Sequence, residues 1–267
     1  MPFSIITHGP TGSGKTGLVN KTINHYGLSE TYKTFLIDDL IEQNPHYKTA
    51  IDDLIHSECK ANTLCETLKS KLLDPTEEMY EKFGTLYMKY RGKTGDKWCD
   101  GKQKTCDSLL DDMLDQAITD KVNIVFETVG TYYVSWLVDK LAAYDVYFAF
   151  TVLDFCENVR RNKTRAVEQL GSYITDRTNP APRLPNVEES QFKMTVENVA
   201  KTLWDLMGRK LFGILPGVHH IIVFDNTSRL ITVLYDSDTV SNMSELVSKI
   251  QSIMDTQRIR RCVMRTH

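Results

Sequence analysis

Short apolar runs alternate with longer stretches of helical periodicity along most of the chain. The apolar runs predict strands at residues 4–8, 34–38, 122–127, 146–154, 220–225 and 230–235. The clearest helical periods between and after them cover residues 15–26, 131–144, 187–210 and 240–258. Strands that alternate with helices need crossover connections, which place helices on both faces of a parallel sheet. The pattern therefore predicts a three-layer α/β fold with a mainly parallel sheet.

The domain organisation follows from length and from the position of the loops. The chain has 267 residues, of which 41% are hydrophobic, enough for one substantial core. We expect a single domain over residues 1–267, with inserted helices and a basic loop at about 40–106 and an arginine-bearing lid at about 156–187. The basic loop, residues 91–105, carries three glycines and five basic side chains. A solvated loop is the ordinary interpretation, and a contact with nucleic acid stays open but is not favoured.

Charge and cysteine usage limit the partners and the compartment. The net charge of −3 gives no global positive field that would gather nucleic acid or an anionic membrane. The longest strongly apolar stretches, such as residues 146–155, are well short of the roughly 20 residues of a membrane span, and the first residues do not resemble a secretory signal. Six cysteines without a C-x-x-C pair favour reduced thiols. We therefore expect a cytoplasmic protein that does not bind membranes.

A phosphate-binding motif follows the first predicted strand. The eight residues match G-x-x-x-x-G-K-[ST] in full and open the first predicted helix: Gly9, Pro10, Thr11, Gly12, Ser13, Gly14, Lys15 and Thr16. Backbone N–H groups of such a loop cradle a phosphate, the lysine reaches the terminal phosphates and the Thr hydroxyl binds Mg²⁺. The motif allows an ATPase, a GTPase or a kinase. Since no N-K-x-D-like stretch follows a later strand, a small kinase is favoured.

Acidic residues end four of the predicted strands. They are Asp38, Glu127, Asp154 and Asp225. In kinases of this architecture the loop-bearing strand lies between the third and fourth strands, which puts Glu127 and Asp154 nearest the metal. Asp38 then suits the general base that accepts a proton from an attacking hydroxyl. The ordinary interpretation of each acid is a helix cap or a solvated strand end.

Three segments resemble the zeta toxin family of phosphate-loop kinases. Residues 35–47 join a strand-terminal Asp38 to the turn Pro45-His46-Tyr47, like the family's catalytic Asp and His-Pro-Tyr turn, although here the His follows the Pro. Residues 125–130 are similar to the family's strand that ends in Glu with a nearby Thr. Residues 220–226 are similar to its late strand that ends in Asp-Asn.

The resemblance implies a role for each matching residue. Asp38 would be the general base, while Lys15 and Thr16 would bind phosphate and magnesium. The position of Glu127 at its strand end separately predicts that it is a second metal ligand. Arg165 and Arg183 fall where the family supplies two arginines to the transferring phosphate. The sugar site would be lined by Glu127 and Thr128, with Asp111, or alternatively Asp112, as a further substrate contact. ATP, with GTP as an alternative donor, and Mg²⁺ are the implied cofactors.

The acceptor that the resemblance implies is the amino-sugar 3′-hydroxyl of a UDP-sugar such as UDP-N-acetylglucosamine. A nucleoside, nucleotide or polynucleotide 5′-kinase is the alternative, because related kinases use the same core for other acceptors. A non-catalytic NTP-binding module is the second alternative. A toxin role would also imply an inhibitory, antitoxin-like protein partner.

Overall fold

The computed structural model describes residues 1–58, 68–70, 77–91, 99, 104–129, 135–183, 189–215, 218–228, 230–239 and 243–253. The chain divides into two compact units. The first unit comprises Met1–Phe35, Gln116–Val159 and Val187–His267, and the second comprises Leu36–Asp115 and Arg160–Asn186.

The first unit is built on a six-stranded sheet. Its strands are β1 (Phe3–His8), β2 (Lys33–Phe35), β3 (Ile124–Thr128), β4 (Asp145–Val152), β5 (Val218–Asp225) and β6 (Thr232–Asp236). Their order is β2-β3-β1-β4-β5-β6, with β6 antiparallel to β5 and all other pairs parallel. The α/β class with a mainly parallel sheet is therefore confirmed, and so is the placement of β1 between the third and fourth strands.

Helices cover both faces of this sheet. Alternate residues of the central strands, such as Ile5 and Ile222, join a core with Leu18 of helix α1 (Lys15–Tyr26). The opposite face includes Phe150 and Val223, which line a small apolar space together with residues of two later helices. These helices are α8 (Glu189–Leu211) and α9 (Met243–Ile253). A further short helix, α6, spans Ser135–Lys140. The first unit thus has three layers, as the alternation of strands and helices predicts.

The second unit is helical. It contains α2 (Ile37–Gln43), α3 (Pro45–Glu58), α4 (Glu77–Arg91), most of α5 (Cys106–Thr119) and most of α7 (Phe155–Thr175). Its own core includes Ile41, Tyr47, Phe83 and Tyr173. The unit includes the ranges that the sequence assigns to the inserted helices and to most of the lid. Most of the basic loop at 91–105 lies outside the described residues.

Two of the four acids expected at strand ends lie beyond their strands. Strand β2 ends at Phe35, and Asp38 lies in the first turn of α2, where acidic side chains interact favourably with the helix dipole. Leu36 is extended, and the Asp39 N–H donates to its carbonyl at 3.2 Å as the chain turns into the helix. Strand β4 ends at Val152, and Asp154 accepts a hydrogen bond from the Cys156 N–H at 2.9 Å, as a helix cap does.

The expectation of reduced thiols is wrong for three cysteines. Cys99 and Cys106 form a disulfide with a Cα–Cα distance of 4.9 Å, and Cys156 is also disulfide-bonded. This pairing depends on the fold, which brings the two backbones within disulfide range, and the sequence therefore gives no sign of it. The cytoplasmic location loses one of its supports and stays a prediction. Among the described residues, no helix has the length and apolar character needed to cross a membrane.

Candidate functional site

The phosphate loop connects β1 to α1 within the first unit. Gly12 and Gly14 have φ values of 79° and 77°, in the left-handed region that side chains other than glycine rarely adopt. The Ser13 N–H donates to the Pro10 carbonyl at 3.1 Å, which closes the turn. The motif recognised in the sequence therefore lies in the strand–loop–helix context that phosphate binding requires.

The loop backbone and one buried hydroxyl fit a phosphate group. A Cβ atom on Gly9 would lie 2.2 Å from Thr151 Cγ2 and 2.7 Å from Ser13 Oγ, so only glycine is accommodated without a shift of its neighbours. Ser13 Oγ is buried and has no hydrogen-bond partner among the described residues. Buried polar groups are normally paired, so an orphan hydroxyl in such a loop fits a ligand with acceptor oxygens.

Lys15 and Thr16 lie in the first turn of α1. Lys15 Nζ donates to the carbonyls of Gly9 and Pro10, at 3.3 and 3.4 Å. Thr16 Oγ1 donates to Glu127 Oε1 at 3.2 Å, because the parallel pairing sets Glu127 beside β1. Mg²⁺ is bound by few protein oxygens and keeps waters and phosphate oxygens for its other positions. This hydroxyl–carboxylate pair fits that ion, and Thr128 follows Glu127 as the last residue of β3.

Two buried asparagines hold the phosphate loop in place. Asn158 Nδ2 donates to the Thr11 carbonyl and Asn226 Nδ2 to the Ser13 carbonyl, each at 2.6 Å. They come from α7 and from the residue that follows β5. The Asp-Asn pair at the end of the late strand was a signal for Asn226. No sequence signal marks Asn158, which lies far from the loop in sequence.

His8 is the buried residue that precedes the loop. Its ring stacks on Phe150 with 4.5 Å between the centroids, and its Nδ1 lies 3.3 Å from the Ile6 carbonyl oxygen. Burial lowers the pKa of His8 to about 4, and the charge of Lys15 acts in the same direction. The ring is therefore neutral at physiological pH and adds no charge to the loop.

The second unit contains an acid–arginine cluster, consisting of Asp38, Glu42, Tyr87, Arg165 and Arg183. Arg183 Nη2 lies 2.6 Å from Asp38 Oδ2, and Arg183 Nε lies 2.8 Å from Glu42 Oε1. The Tyr87 hydroxyl donates to the other carboxylate oxygen of Asp38. The guanidinium also lies over the Tyr87 ring, 5.8 Å from its centroid. Both oxygens of Asp38 therefore have defined partners.

Burial and mutual charge set the protonation of the cluster. Burial opposes the charge of Arg183, but Asp38 and Glu42 outweigh it and raise its pKa above the usual value. Burial, followed by the charge of Asp38, raises the pKa of Tyr87, so its hydroxyl is a donor at neutral pH. Burial also raises the pKa of Glu42 to about 7, although Arg183 and Arg165 act in the opposite direction.

Arg165, the more exposed arginine of the cluster, and the predicted acids outside the cluster have more ordinary environments. Arg165 Nη2 lies 3.7 Å from Glu42 Oε1 with 41% of its side chain exposed, and Asp111 is exposed on α5. Asp225 ends β5 as expected and forms an ion pair with Lys249 at 2.7 Å. Burial opposes its ionised form, but hydrogen bonds from Lys249 and Thr227 hold the pKa of Asp225 below its usual value. Sequence reasoning missed Glu42 and Tyr87 as members of the cluster.

The two units thus offer different chemistry. The first has a loop that suits phosphate and an oxygen pair that suits a divalent cation. The second has a carboxylate oriented by a tyrosine and an arginine, which suits proton transfer near an anionic group.

Comparisons with known proteins add little to this description. No family model matches the chain, and no curated protein matches it significantly. Among solved structures, the protein is similar to a chain whose structure comes from work on the PezAT chromosomal toxin-antitoxin system of the human pathogen Streptococcus pneumoniae. The two are 14% identical, the match covers 100% of this chain and 84% of that chain, and the TM-score is 0.49. A likeness at this level carries no argument about function.

Proposed function

We propose that the chain is a kinase that transfers the γ-phosphate of ATP to a substrate hydroxyl. The observation that carries this proposal is the phosphate loop. Its Gly12 and Gly14 adopt left-handed conformations, its Ser13 hydroxyl is buried without a partner among the described residues, and its Thr16 hydroxyl donates to Glu127. Lys15 would interact with the terminal phosphates. Thr16 and Glu127 would hold Mg²⁺, which supplies charge neutralisation at the phosphates when bound. GTP is the alternative donor.

The acid–arginine cluster supplies the groups for transfer. In the proposed reaction the acceptor oxygen forms a bond to the γ-phosphorus while the bond from that phosphorus to the bridging oxygen breaks and ADP leaves. Asp38 accepts the hydroxyl proton, and Tyr87 and Arg183 orient its carboxylate. Arg165 and Arg183 supply positive charge for the transferring group. No covalent intermediate on the protein is needed.

For the acceptor we propose the amino-sugar hydroxyl of a UDP-sugar such as UDP-N-acetylglucosamine. The support is the sequence resemblance to the zeta toxin family over residues 35–47. Glu127, Thr128 and Asp111 would contact that substrate. The same resemblance supports an inhibitory protein partner, whereas the proposed cytoplasmic location rests on the short apolar stretches of the sequence. A nucleoside, nucleotide or polynucleotide acceptor is the alternative, and a non-catalytic NTP-binding module is the second.

The experiment is a transfer assay with ATP and Mg²⁺ against a panel of UDP-sugars, nucleosides, nucleotides and 5′-hydroxyl oligonucleotides. Phosphorylation of a UDP-amino sugar, lost in Lys15→Ala and Asp38→Asn, supports the full proposal. Transfer to another member of the panel keeps the kinase and replaces the acceptor. ATP binding without transfer to any acceptor favours the non-catalytic module.

A further inference from the structure

Glu42 is a buried carboxylate that the proposed reaction does not use directly. It lies on α2 four residues after Asp38, so the two side chains share one face of the helix. Only 4% of the Glu42 side chain is exposed, compared with 16% for Asp38. A carboxylate is rarely buried to this extent without a partner that compensates its charge.

The partner of Glu42 is the same guanidinium that contacts Asp38. Arg183 presents Nε to Glu42 at 2.8 Å and Nη2 to Asp38 at 2.6 Å. The nitrogens of a guanidinium are fixed in one plane, so two carboxylates on two different nitrogens determine the orientation of that plane. With Asp38 alone, Arg183 could rotate about a single contact. Glu42 therefore removes a rotational freedom that Asp38 cannot remove.

Glu42 is itself held by its surroundings. Gln169 Nε2 donates to Glu42 Oε2 at 3.2 Å, and Arg165 Nη2 lies 3.7 Å from Oε1. The Glu42 backbone carbonyl accepts from the Ala181 N–H at 2.8 Å, two residues before Arg183. Side chain and backbone of Glu42 thus both act on the segment that carries Arg183.

From these contacts we propose that Glu42 is a positioning residue, which orients the Arg183 guanidinium against Asp38 through its ionised carboxylate. As a statement about catalysis, this inference rests on the proposed function. As a statement about the orientation of Arg183, it does not.

The orientation of Arg183 then depends on pH. The charged and titratable groups that face Glu42 are Asp38 and Asp39 on α2, Tyr47 on α3, Arg165 on α7, and Arg183. Burial, with the two aspartates, outweighs the two arginines and raises the pKa of Glu42 to about 7. Protonation of Glu42 below that pH removes one of the two carboxylate charges that orient Arg183.

The test uses the full chain labelled with ¹⁵N. The side-chain Nε resonance of Arg183 is assigned by its absence in Arg183→Lys. It is then followed over about two pH units on either side of neutral pH. We expect it to move with a midpoint of about 7, the pKa of Glu42. The titration should be absent in Glu42→Gln. The titration should remain in the control variant Asp39→Asn, which removes a different carboxylate from the same helix.

A second readout addresses catalysis. We expect Glu42→Gln to lower kcat by about 10- to 100-fold and to leave the KM for ATP unchanged. The fall in kcat of the wild type at acidic pH should be absent in this variant. Glu42→Gln that still shows the Arg183 titration would overturn the proposal. So would a wild-type Arg183 resonance that does not move through this pH range, a result that does not depend on the folding of Glu42→Gln. If no acceptor is phosphorylated, the proposed function fails, and the Arg183 titration still decides the role of Glu42.

Discussion

The phosphate loop and the acid–arginine cluster are built from different parts of the polypeptide. The loop is eight consecutive residues that act largely through backbone groups and through the absence of side chains at Gly9, Gly12 and Gly14. The cluster is formed by side chains at positions 38, 42, 87, 165 and 183, which only the folded chain brings together. A backbone site needs local conformation, whereas a side-chain site needs the packing of several helices. The two regions should therefore respond to substitution in different ways.

The largest expected effect is a loss of phosphate transfer when the positive charge of Lys15 is removed from the loop. Lys15→Ala removes the cation that would contact the terminal phosphates, and we expect kcat to fall by about 10³-fold. The helix itself should persist, so thermal unfolding should change little. Lys21→Ala, on the exposed side of the same helix, is the matched control and should retain full activity. Equal losses in both variants would contradict the assignment of Lys15.

The cluster should show its largest effect in stability. Arg183→Met leaves the buried Glu42 and the partly buried Asp38 without the guanidinium that contacts both, and we expect the free energy of unfolding to fall by about 3–5 kcal/mol. Arg165→Met removes a contact at 3.7 Å from a side chain that is 41% exposed, and solvent screens it. Its expected cost is about 0–1 kcal/mol. Denaturant unfolding of both variants checks this contrast, and similar costs would refute it.

A glycine pair tests the backbone character of the loop. Gly9→Ala places a Cβ 2.2 Å from Thr151 Cγ2, so we expect a loss of about 1–3 kcal/mol in stability together with weaker nucleotide binding. Gly84→Ala, on α4, meets nothing within 4 Å. In that helix it should raise stability by about 0.5–1 kcal/mol. Opposite signs in thermal unfolding support the close approach at Gly9, and a neutral Gly9→Ala contradicts it.

The smallest effect concerns the orientation of the base. Tyr87→Phe deletes the donor to Asp38 while it keeps the ring under Arg183. A hydrogen bond to a charged group typically contributes about 1.5 kcal/mol or more, and we expect a loss in kcat of roughly tenfold. Tyr235→Phe, on β6, serves as the control for the loss of one tyrosine hydroxyl. An unchanged kcat in Tyr87→Phe would show that the contact does not orient the reacting carboxylate.

The features that the sequence predicts are those encoded by neighbouring residues. The loop over 9–16 follows from a local motif, and the position of β1 between β3 and β4 follows from the architecture of kinases with that motif. The helical position of Asp38 was missed, because an apolar run that ends in Asp-Asp does not show where the strand stops and the helix begins. Glu42 resembles an ordinary helix acid until Arg183 is placed against it.

The disulfide was missed for a related reason. Cys99 and Cys106 are seven residues apart, a spacing that does not distinguish a disulfide from two free thiols. Their pairing depends on the position of Cys99 beside the start of α5, which is a tertiary property. Sequence alone therefore identified the backbone-based part of the candidate site and only some members of the side-chain-based part.

The central claim is that phosphate binding and proton transfer belong to separate groups of residues. The most direct test measures the Kd for ATP with Mg²⁺ and the rate of transfer in wild type and in Asp38→Asn. The account predicts an unchanged Kd and a loss of transfer of about 10²-fold or more, because Asp38 acts only as the base. Transfer at the wild-type rate in Asp38→Asn, or a loss of ATP binding in that variant, would contradict it.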